Sequence, residues 1–559
     1  MKVIIVGGVA GGATAAARIR RLDEHAEITV FERSGYISYA NCGLPYYIGD
    51  VITDPEELTL QTPESFFKRF RINMKIHHEV ISIHPDRKTV SVKNLENGEI
   101  FEENYDKLIL SPGAKPTQPR LPGVGMDKLF TLRTVEDTFR IKEYINKNHP
   151  KSAVLAGGGF IGLELAENLR ELGMDVTIVQ RPKQLMNPFD PDMASMIHNE
   201  MRKHGIKLVL GYTVEGFKEK DNGVEVLLKD NPSLQADMVV LAIGVTPDTA
   251  LAKEAGLELG IKGSIVVNDR METSVPDIYA AGDAVQVKHY VTGDDALISL
   301  AGPANKQGRI IADNICGGDS HYLGSQGSSV IKVFDMIAAT TGINETNAKK
   351  SGLEVDTVIL SPMSHAGYYP GGKVMTMKVV FEKETYRLLG AQIIGYEGVD
   401  KRIDVLATAI HAGLKATQLK DLDLAYAPPY SSAKDPVNMA GFMIDNIAKG
   451  TLKQWHLEDM DKISKDKSAV LLDVRTVGEF NRGHMKGFNN IPVDELRERI
   501  SEIEKGKPVY LICQSGLRSY IASRILEGNG YETYNFSGGF RFYDAVVNDR
   551  ALIERAYAC

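Results

Sequence analysis

The sequence predicts an α/β fold of several domains, and three stretches of the chain support this prediction. Two glycine-rich turns, at residues 7–12 and 157–162, each follow a short apolar strand and precede a helical pattern. A third strand–loop–helix pattern lies near the end of the chain, where residues 509–512 lead into a loop at 513–519. Such an order is typical of βαβ units around parallel sheets. With 559 residues, the chain has room for three or four domains.

Composition excludes several classes of protein. The chain is 43% hydrophobic and 25% charged, which is ordinary for a globular protein. Its net charge of −8 argues against nucleic acid as a partner, because phosphate binding needs a basic face. No apolar run reaches the ~18 residues of a membrane helix, and we expect no membrane association and no signal peptide. The four cysteines form no C-x-x-C pair, so we expect no metal site and a reducing, cytoplasmic location.

The first glycine-rich turn predicts a dinucleotide site. Residues 7–12 precede a helix predicted over 13–22, and glycines let the backbone approach a pyrophosphate at the helix N-terminus. Val9 stands where the usual pattern has its middle glycine. Glu32, in the next strand (predicted over 28–33), can accept a hydrogen bond from a ribose hydroxyl. This arrangement predicts the site despite Val9.

The second turn is a full G-x-G-x-x-G, formed by Gly157, Gly159 and Gly162. A helix predicted over 163–172 and a strand over 176–179 follow it. Two nucleotide folds need two nucleotides, and a flavin with a nicotinamide is the economical pair. The second strand ends in Gln180-Arg181-Pro182-Lys183 rather than in an acid, which favours NADPH, with NADH also used.

Cys42 is the residue that the sequence predicts to carry redox chemistry. It follows the acidic end of the second strand by a few residues, close to the expected position of a dinucleotide's reactive end. At the start of the next helix, the positive helix end would favour thiolate over thiol. The alternative is a small buried hydrophobe.

Farther along, Asp283 follows a strand and a glycine, and it can bind a ribityl hydroxyl or cap a helix.

These motifs resemble those of the FAD-dependent pyridine-nucleotide disulfide oxidoreductases. The resemblance rests on both glycine turns, on Asn41-Cys42-Gly43-Leu44-Pro45-Tyr46 and on Ala280-Ala281-Gly282-Asp283, and it covers residues 1 to about 447. One redox cysteine without a second cysteine a few residues away resembles the coenzyme A disulfide reductase branch of this family. An NADH oxidase or peroxidase with a cysteine sulfenic acid, and a redox or sulfur-carrier sensor protein, remain alternatives.

The resemblance implies a domain order and a set of cofactor contacts. The FAD domain would comprise residues 1–150 and 245–324, the NAD(P)H domain 151–244, and the dimerisation domain of a homodimer 325–448. The implied cofactor-binding residues are Gly7, Val9, Ala10, Gly12, Glu32, Arg33, Val80, Ser111, Gly113, Arg133, Asp283, Ala301, Gly157, Gly159, Gly162, Gln180, Arg181 and Gly244. The fold class is thus α/β, with two Rossmann-like dinucleotide-binding domains, an α+β dimerisation domain and the C-terminal α/β unit.

In this family the dimerisation domain completes the active site of the partner subunit. By resemblance, Tyr368 and Tyr426 are the tyrosines that would hydrogen-bond a leaving thiolate, with Tyr369 and Tyr430 as alternatives, and any of them could simply pack. A coenzyme A substrate needs cations for its phosphates. The residues implied for its groove are Thr14, Arg18, Arg21, Ser38, Asn41 and Lys434. An ordinary basic helix face is the alternative for Arg21.

After a linker predicted at 449–455, residues 456–559 resemble a single-domain rhodanese. Asp473-Val474-Arg475, Glu479-Phe480, Gly483-His484 and a C-x-x-G-x-R-S loop from Cys513 occur in the family's order. An amide-lined loop at a helix start stabilises a thiolate, and Arg518 adds a fixed cation. The resemblance implies a persulfide on Cys513. Phosphatases share the order of a strand, a cysteine, a loop and a helix with an arginine, but their loop has one more residue before the arginine.

Together these observations predict a homodimeric flavoprotein reductase fused to a rhodanese domain. Its cofactors would be FAD and NADPH or NADH. Its substrates would be coenzyme A persulfide, polysulfide or coenzyme A disulfide.

Overall fold

The computed structural model describes residues 1–220 and 223–558, and it divides into two compact units. The first comprises residues 1–183 with 205–327, and the second comprises residues 184–204 with those from 328 onwards. Cys559, for which the sequence indicates no role, lies outside the described residues. No helix within the described ranges is long and apolar enough to cross a membrane.

The first 150 residues begin with the strand–turn–helix that the sequence predicts. The strands are β1 (Lys2–Val6), β2 (Glu27–Phe31), β3 (Ile37–Tyr39), β4 (Thr59–Gln61), β5 (Asn73–Lys75), β6 (His78–His84), β7 (Thr89–Asn94), β8 (Ile100–Asn104), β9 (Lys107–Leu110), β10 (Ala114–Pro116) and β11 (Leu129–Thr131). The helices are α1 (Ala10–Leu22), α2 (Leu44–Ile48), α3 (Pro63–Phe70) and α4 (Val135–Asn148). Helix α1 begins three residues earlier than predicted, because the end of the glycine-rich run already forms its first turn.

The next segment forms a second parallel sheet. Its elements are β12 (Ser152–Ala156), α5 (Phe160–Glu171), β13 (Asp175–Gln180), α6 (Pro191–Lys203), β14 (Lys207–Leu210), β15 (Val214–Lys220), β16 (Gly223–Leu228), β17 (Asn231–Ala236) and β18 (Met238–Leu241). The strand order is β11-β18-β12-β13-β14, and β15, β16 and β17 form a separate antiparallel sheet. Helix α6 belongs to the second unit although it lies between two strands of this sheet in the chain.

The chain then returns to the first sheet. The elements are β19 (Val245–Pro247), α7 (Ala250–Glu254), β20 (Ile278–Ala280), β21 (Val287–Lys288), β22 (Asp295–Ala296) and α8 (Ala301–Ile315). Strand β20 pairs in parallel with β9 and completes the order β20-β9-β1-β2-β5. The buried apolar residues of β1, such as Val3, Ile4 and Ile5, pack in the core of this sheet. Two glycine turns therefore leave the carboxyl ends of two separate parallel sheets, where nucleotides bind in such folds.

The second unit contains an antiparallel sheet. Its elements are β23 (Ser329–Val333), β24 (Met336–Gly342), α9 (Glu345–Lys350), β25 (Val355–Leu360), β26 (Thr376–Glu382), β27 (Leu388–Gly395), α10 (Val399–His411) and α11 (Pro436–Ala448). The strand order is β23-β24-β27-β26-β25. The ammonium of Lys378 is buried on β26 among the carboxylates of Asp190, Asp192 and Glu345, at 3.2, 2.8 and 2.7 Å. This network fixes the α6 segment to the sheet.

The last domain is a small α/β fold. Its elements are β28 (Gln454–Trp455), α12 (Met460–Ile463), β29 (Val470–Asp473), α13 (Val477–Arg482), β30 (Asn489–Asn490), β31 (Val509–Ile512), α14 (Leu517–Glu527), β32 (Thr533–Phe536) and α15 (Gly539–Ala558). The parallel order is β28-β32-β31-β29-β30, so the sheet already begins at Gln454, inside the stretch predicted as linker. On α15, the buried carboxylate of Asp549 contacts His198 and Arg202 of α6. The central strand β31 ends directly before Cys513.

Candidate active site

The first glycine turn is closed by close backbone contacts. Gly7 has φ +97°, and a Cβ there would lie 2.1 Å from the carbonyl oxygen of Ser111, so only glycine fits. Glu32 is 8% exposed, and its Oε2 accepts a hydrogen bond from the N–H of Gly8 at 2.8 Å. The carboxylate that the sequence assigns to a ribose thus lies at the turn that would hold the pyrophosphate.

The second glycine turn repeats this arrangement with an amide in place of the carboxylate. Gly157 has φ +121°, and a Cβ there would lie 2.1 Å from the carbonyl oxygen of Ala242. The N–H of Gly158 donates to Oε1 of Gln180 at 3.0 Å. A Cβ on Gly159 would meet no atom within 4 Å, which leaves the open space that a pyrophosphate needs. The residues present therefore fit two dinucleotides.

Asp283 and Arg133, both predicted to contact the flavin nucleotide, face each other. Nη2 of Arg133 donates to Oδ2 of Asp283 at 2.6 Å. Asp283 lies inside a 3-10 turn (Gly282–Ala284) whose N-cap is Ala281, so the alternative of a helix cap at Asp283 is wrong. The contact of Asp283 with a ribityl hydroxyl stays a prediction.

The remaining predicted cofactor residues are spread around the first unit. Arg33 pairs with Asp248 at 2.8 Å, and the N–H of Ser111 donates to Val6. The positions of the others are as follows: Val9 is the N-cap of α1, Ala10 its first residue and Gly12 in its first turn; Val80 is buried on β6; Gly113 and Gly244 lie in turns after strands; Gly162 is in α5; Arg181 is exposed after β13; and Ala301 begins α8.

Cys42 is exposed and lies in a 3-10 turn (Asn41–Gly43) directly before α2. The pKa of its thiol is raised by desolvation first and by the charge of Glu164 second, while Arg133 acts in the opposite direction. The expectation that the helix start favours thiolate is therefore wrong for the chain alone. The physical reason is that desolvation of the sulfur, and then the charge of Glu164 in α5, outweigh the small dipole of the five-residue helix α2.

Glu164 and its neighbour Glu167 are site residues that sequence reasoning missed. Helix α5 lies close to α2, since a Cβ on Gly49 would come within 2.0 Å of Oδ1 of Asn168. Burial and then the charge of Glu167 raise the pKa of Glu164 to about 7. The signal in the sequence was a pair of acids at i, i+3 spacing in an otherwise largely apolar helix.

The residues predicted to bind coenzyme A divide between the two units. Thr14 donates to Oδ1 of Asn305 at 2.7 Å, and Nε of Arg18 donates to Oδ1 of Asp313 at 2.8 Å, so both face helix α8. Ser38 has φ +46°, which is uncommon for a residue other than glycine, and its N–H donates to the carbonyl of Gly8. The other three are Arg21, exposed at the end of α1; Asn41, at the start of the Cys42 turn; and Lys434, exposed in the second unit.

The two tyrosines chosen from the sequence form a pair within the second unit. The hydroxyl oxygens of Tyr368 and Tyr426 lie 2.6 Å apart. Their side chains are 75% and 46% exposed, and this hydrogen bond raises the pKa of Tyr426. Of the alternatives, Tyr369 packs edge-on against His365, and Tyr430 is exposed. Exposed hydroxyls of this kind can donate a hydrogen bond to an anion.

Cys513 lies at the start of the loop 513–519, where one backbone N–H and one hydroxyl donate to its sulfur. It is fully buried, and its Sγ accepts hydrogen bonds from the N–H of Gly516 at 3.1 Å and from the hydroxyl of Ser519 at 3.2 Å. Arg518, predicted as a fixed cation beside it, is instead held by Glu479 through two hydrogen bonds of 2.7 and 2.8 Å. This interaction lowers the pKa of Glu479 to about 2. The charge of Arg518 is therefore balanced, which the sequence motif alone did not indicate.

Two dinucleotide turns, with a thiol after the second strand and directly before α2, are the features of an oxidoreductase that acts on sulfur. The family described as pyridine nucleotide-disulphide oxidoreductase matches residues 1–308, and its dimerisation domain matches residues 328–436. The chain belongs to this family. A rhodanese-like domain matches residues 456–545. The predicted family, fold class and enzyme class are confirmed, and membership implies FAD and NAD(P)H as cofactors.

Individual relatives cover most of the chain. A coenzyme A disulfide reductase of Staphylococcus aureus is 39% identical over 443 residues, which cover 79% of this chain and 99% of that protein. The crystal structure of reduced Bacillus anthracis CoADR-RHD has a TM-score of 0.96 and 48% identity, and covers 98% of both chains. An NAD-dependent persulfide reductase from A. fulgidus has a TM-score of 0.91 and 38% identity, covering 97% of this chain and 100% of its own.

Proposed function

We propose that the protein is a homodimeric flavoenzyme that uses NADPH or NADH to reduce coenzyme A persulfide, polysulfide or coenzyme A disulfide. Cys42 is the redox cysteine, and Cys513 carries sulfane sulfur. The observation that carries the proposal is the pairing, in one chain, of an exposed thiol after a dinucleotide unit with a buried thiol in a rhodanese loop. The names of the relatives support this substrate class.

At Cys42 the proposed chemistry is thiol–disulfide exchange. The thiolate attacks one sulfur of coenzyme A disulfide, a mixed disulfide forms, and coenzyme A thiolate leaves with the electron pair. FAD, when bound, would pass two electrons from NAD(P)H to this mixed disulfide; the S–S bond would break, the second coenzyme A would leave as a thiol, and Cys42 would return to its thiolate. Glu164 bears on this step, because its charge raises the pKa of the attacking thiol.

The leaving thiolate needs a hydrogen-bond donor. We assign this role to the Tyr368–Tyr426 pair, which one subunit of a homodimer would contribute to the chemistry at Cys42 of the other. The mutual hydrogen bond of 2.6 Å holds the two hydroxyls together, and one hydroxyl proton remains to be donated.

Coenzyme A would be held through its phosphates. Arg21 and Lys434 are exposed cations, while Arg18 already shares its charge with Asp313. Thr14, Ser38 and Asn41 add polar groups near Cys42 and the first turn. Coenzyme A should therefore bind less tightly as salt concentration rises.

A substrate panel with the FAD-loaded protein tests the proposal, with NAD(P)H oxidation followed by absorbance. We expect turnover with coenzyme A persulfide and coenzyme A disulfide, and little consumption of oxygen or peroxide. Vigorous oxygen or peroxide consumption without any sulfur acceptor would instead indicate an oxidase or peroxidase. Negligible turnover with every acceptor would indicate a sensor or carrier protein.

The role of Cys513 is tested separately. Cys513→Ser should leave the reduction of preformed coenzyme A persulfide largely intact and should impair turnover of bulk polysulfide, which must first load the rhodanese site. Cys316→Ser, in the first unit, is the matched control and should leave both activities unchanged. Equal loss of both activities in Cys513→Ser would place this cysteine in the reductase cycle, and equal retention would contradict its carrier role.

A further inference from the structure

The charged side chains around the loop 513–519 cancel in pairs. Arg518 donates through both terminal nitrogens to the two carboxylate oxygens of Glu479. Arg475 is buried, and its Nε and Nη2 donate to the carboxylate of Asp473 at 2.7 to 3.0 Å. The formal charge of these four side chains is zero, so neither arginine presents an uncompensated cation to a ligand.

The Cys513 sulfur itself is bound by neutral groups. Its two hydrogen-bond donors are the N–H of Gly516 and the hydroxyl of Ser519. Such dipoles stabilise a single negative charge on sulfur without adding a full positive charge. A dianion that approaches the thiolate therefore meets repulsion that neither Arg475 nor Arg518 offsets.

Glu479 is held in place independently of any ligand. The N–H and hydroxyl of Thr476 donate to its Oε2 at 3.0 and 2.9 Å, which caps helix α13. The hydrogen bonds from Arg518 lower the pKa of Glu479 to about 2, so the carboxylate is charged at neutral pH. A further cation, Arg541, contacts the loop through its backbone N–H, which donates to the carbonyl of Gln514. Its side chain is exposed, so solvent and salt screen its charge.

We propose that Glu479 determines the donor specificity of Cys513: by neutralising Arg518, it disfavours dianionic donors such as thiosulfate and leaves thiol persulfides as the sulfur source. This inference rests on the proposed function only in taking Cys513 as the carrier of sulfane sulfur. Glu479 acts through Arg518 and is a positioning residue.

The two donors differ in the charge that converges on the sulfur. With a persulfide R–S–SH, the Cys513 thiolate attacks the outer sulfur, a new S–S bond forms at Cys513, and R–S⁻ leaves with the electron pair of the broken bond. With thiosulfate, the same attack expels sulfite, and three negative charges meet in the transition state instead of one. A free Arg518 would favour the second reaction far more than the first.

The test measures sulfur loading on Cys513 in the full chain carrying Cys42→Ser, so that reductase turnover does not consume the product. Loading from thiosulfate and from glutathione persulfide is followed by intact mass and by cyanide trapping as thiocyanate. Glu479→Gln keeps an acceptor for Thr476 but removes the charge, and should raise the thiosulfate-to-persulfide rate ratio about tenfold. Glu495→Gln, in an exposed pair with Arg499, is the matched control and should leave the ratio unchanged.

A double change separates charge from loop opening. Glu479→Gln with Arg518→Gln restores a net charge of zero, and the ratio should return to within about twofold of the starting value. A ratio unchanged or lowered in Glu479→Gln, or a gain that persists in the double variant, would overturn the inference.

A measurement on the chain with unchanged Glu479 covers the case in which these variants do not fold. Loading from thiosulfate should speed up as ionic strength rises, because salt screens repulsion. A decrease would reveal a net cationic site and overturn the inference. Absence of loading from either donor would overturn the carrier role of Cys513 itself, which is a different failure.

Discussion

Gln180→Glu should convert the second dinucleotide site into one that prefers NADH. Oε1 of Gln180 accepts a hydrogen bond from the N–H of Gly158 at 3.0 Å. This bond corresponds to the 2.8 Å hydrogen bond from the N–H of Gly8 to Glu32 at the first glycine turn. A glutamate can keep this hydrogen bond and add a charge beside the expected 2′ position of the ribose. Two unit charges about 4 Å apart interact by about 4 kcal/mol at an effective dielectric constant of 20. Because Gln180 is only half-buried, we discount this to about 2 kcal/mol, or roughly 30-fold.

The measurement is the ratio of kcat/KM for NADH to kcat/KM for NADPH. This ratio should rise by roughly 30-fold, with most of the change in the KM for NADPH. Arg181→Gln is the companion variant, and it should weaken NADPH without adding repulsion, giving a smaller change in the same direction. A ratio that is unchanged or moves towards NADPH in Gln180→Glu would show that Gln180 does not lie at the ribose.

Three further predictions follow from the site and its supports. Glu164→Gln should lower the pKa of Cys42, because the charge that Glu164 acquires above about pH 7 raises the pKa of this thiol. The pH profile of iodoacetamide labelling measures the pKa of Cys42, and an unchanged profile would refute the coupling. Tyr368→Phe and Tyr426→Phe should leave flavin reduction near normal and slow coenzyme A release about tenfold in stopped-flow experiments, whereas two normal half-reactions would make them packing residues. Asp549→Asn should cost about 3 kcal/mol and lower the thermal transition by several degrees, and an unaltered melting curve would contradict a stabilising role for its buried ion pairs.

Local signals in the sequence predicted the elements well where a strand is apolar and bounded. Strand β31 spans the predicted residues 509–512, because the run ends at the cysteine of the loop. Helices α1 and α5 both begin three residues before the predicted start. The error has one cause: residues at the end of each glycine-rich motif were assigned to the turn, although they form the first helical turn, whose free N–H groups face the ligand.

The electrostatics of the two cysteines could not be predicted, because they depend on contacts between distant parts of the chain. The carboxylate that acts on Cys42 comes from α5, more than one hundred residues later. Similarly, Glu479 and Arg518 are 39 residues apart, and only the folded domain brings them together. Motif spacing identified both thiols, but it did not reveal which charges surround them.

The most direct test of the account is the steady-state and half-reaction kinetics of Cys42→Ser. The variant should bind FAD and accept electrons from NAD(P)H at a near-normal rate, because neither glycine turn is altered. Its turnover of coenzyme A disulfide and coenzyme A persulfide should fall to background, since the attacking sulfur is gone. Near-normal reductase turnover in this variant would contradict the central claim that Cys42 is the redox residue.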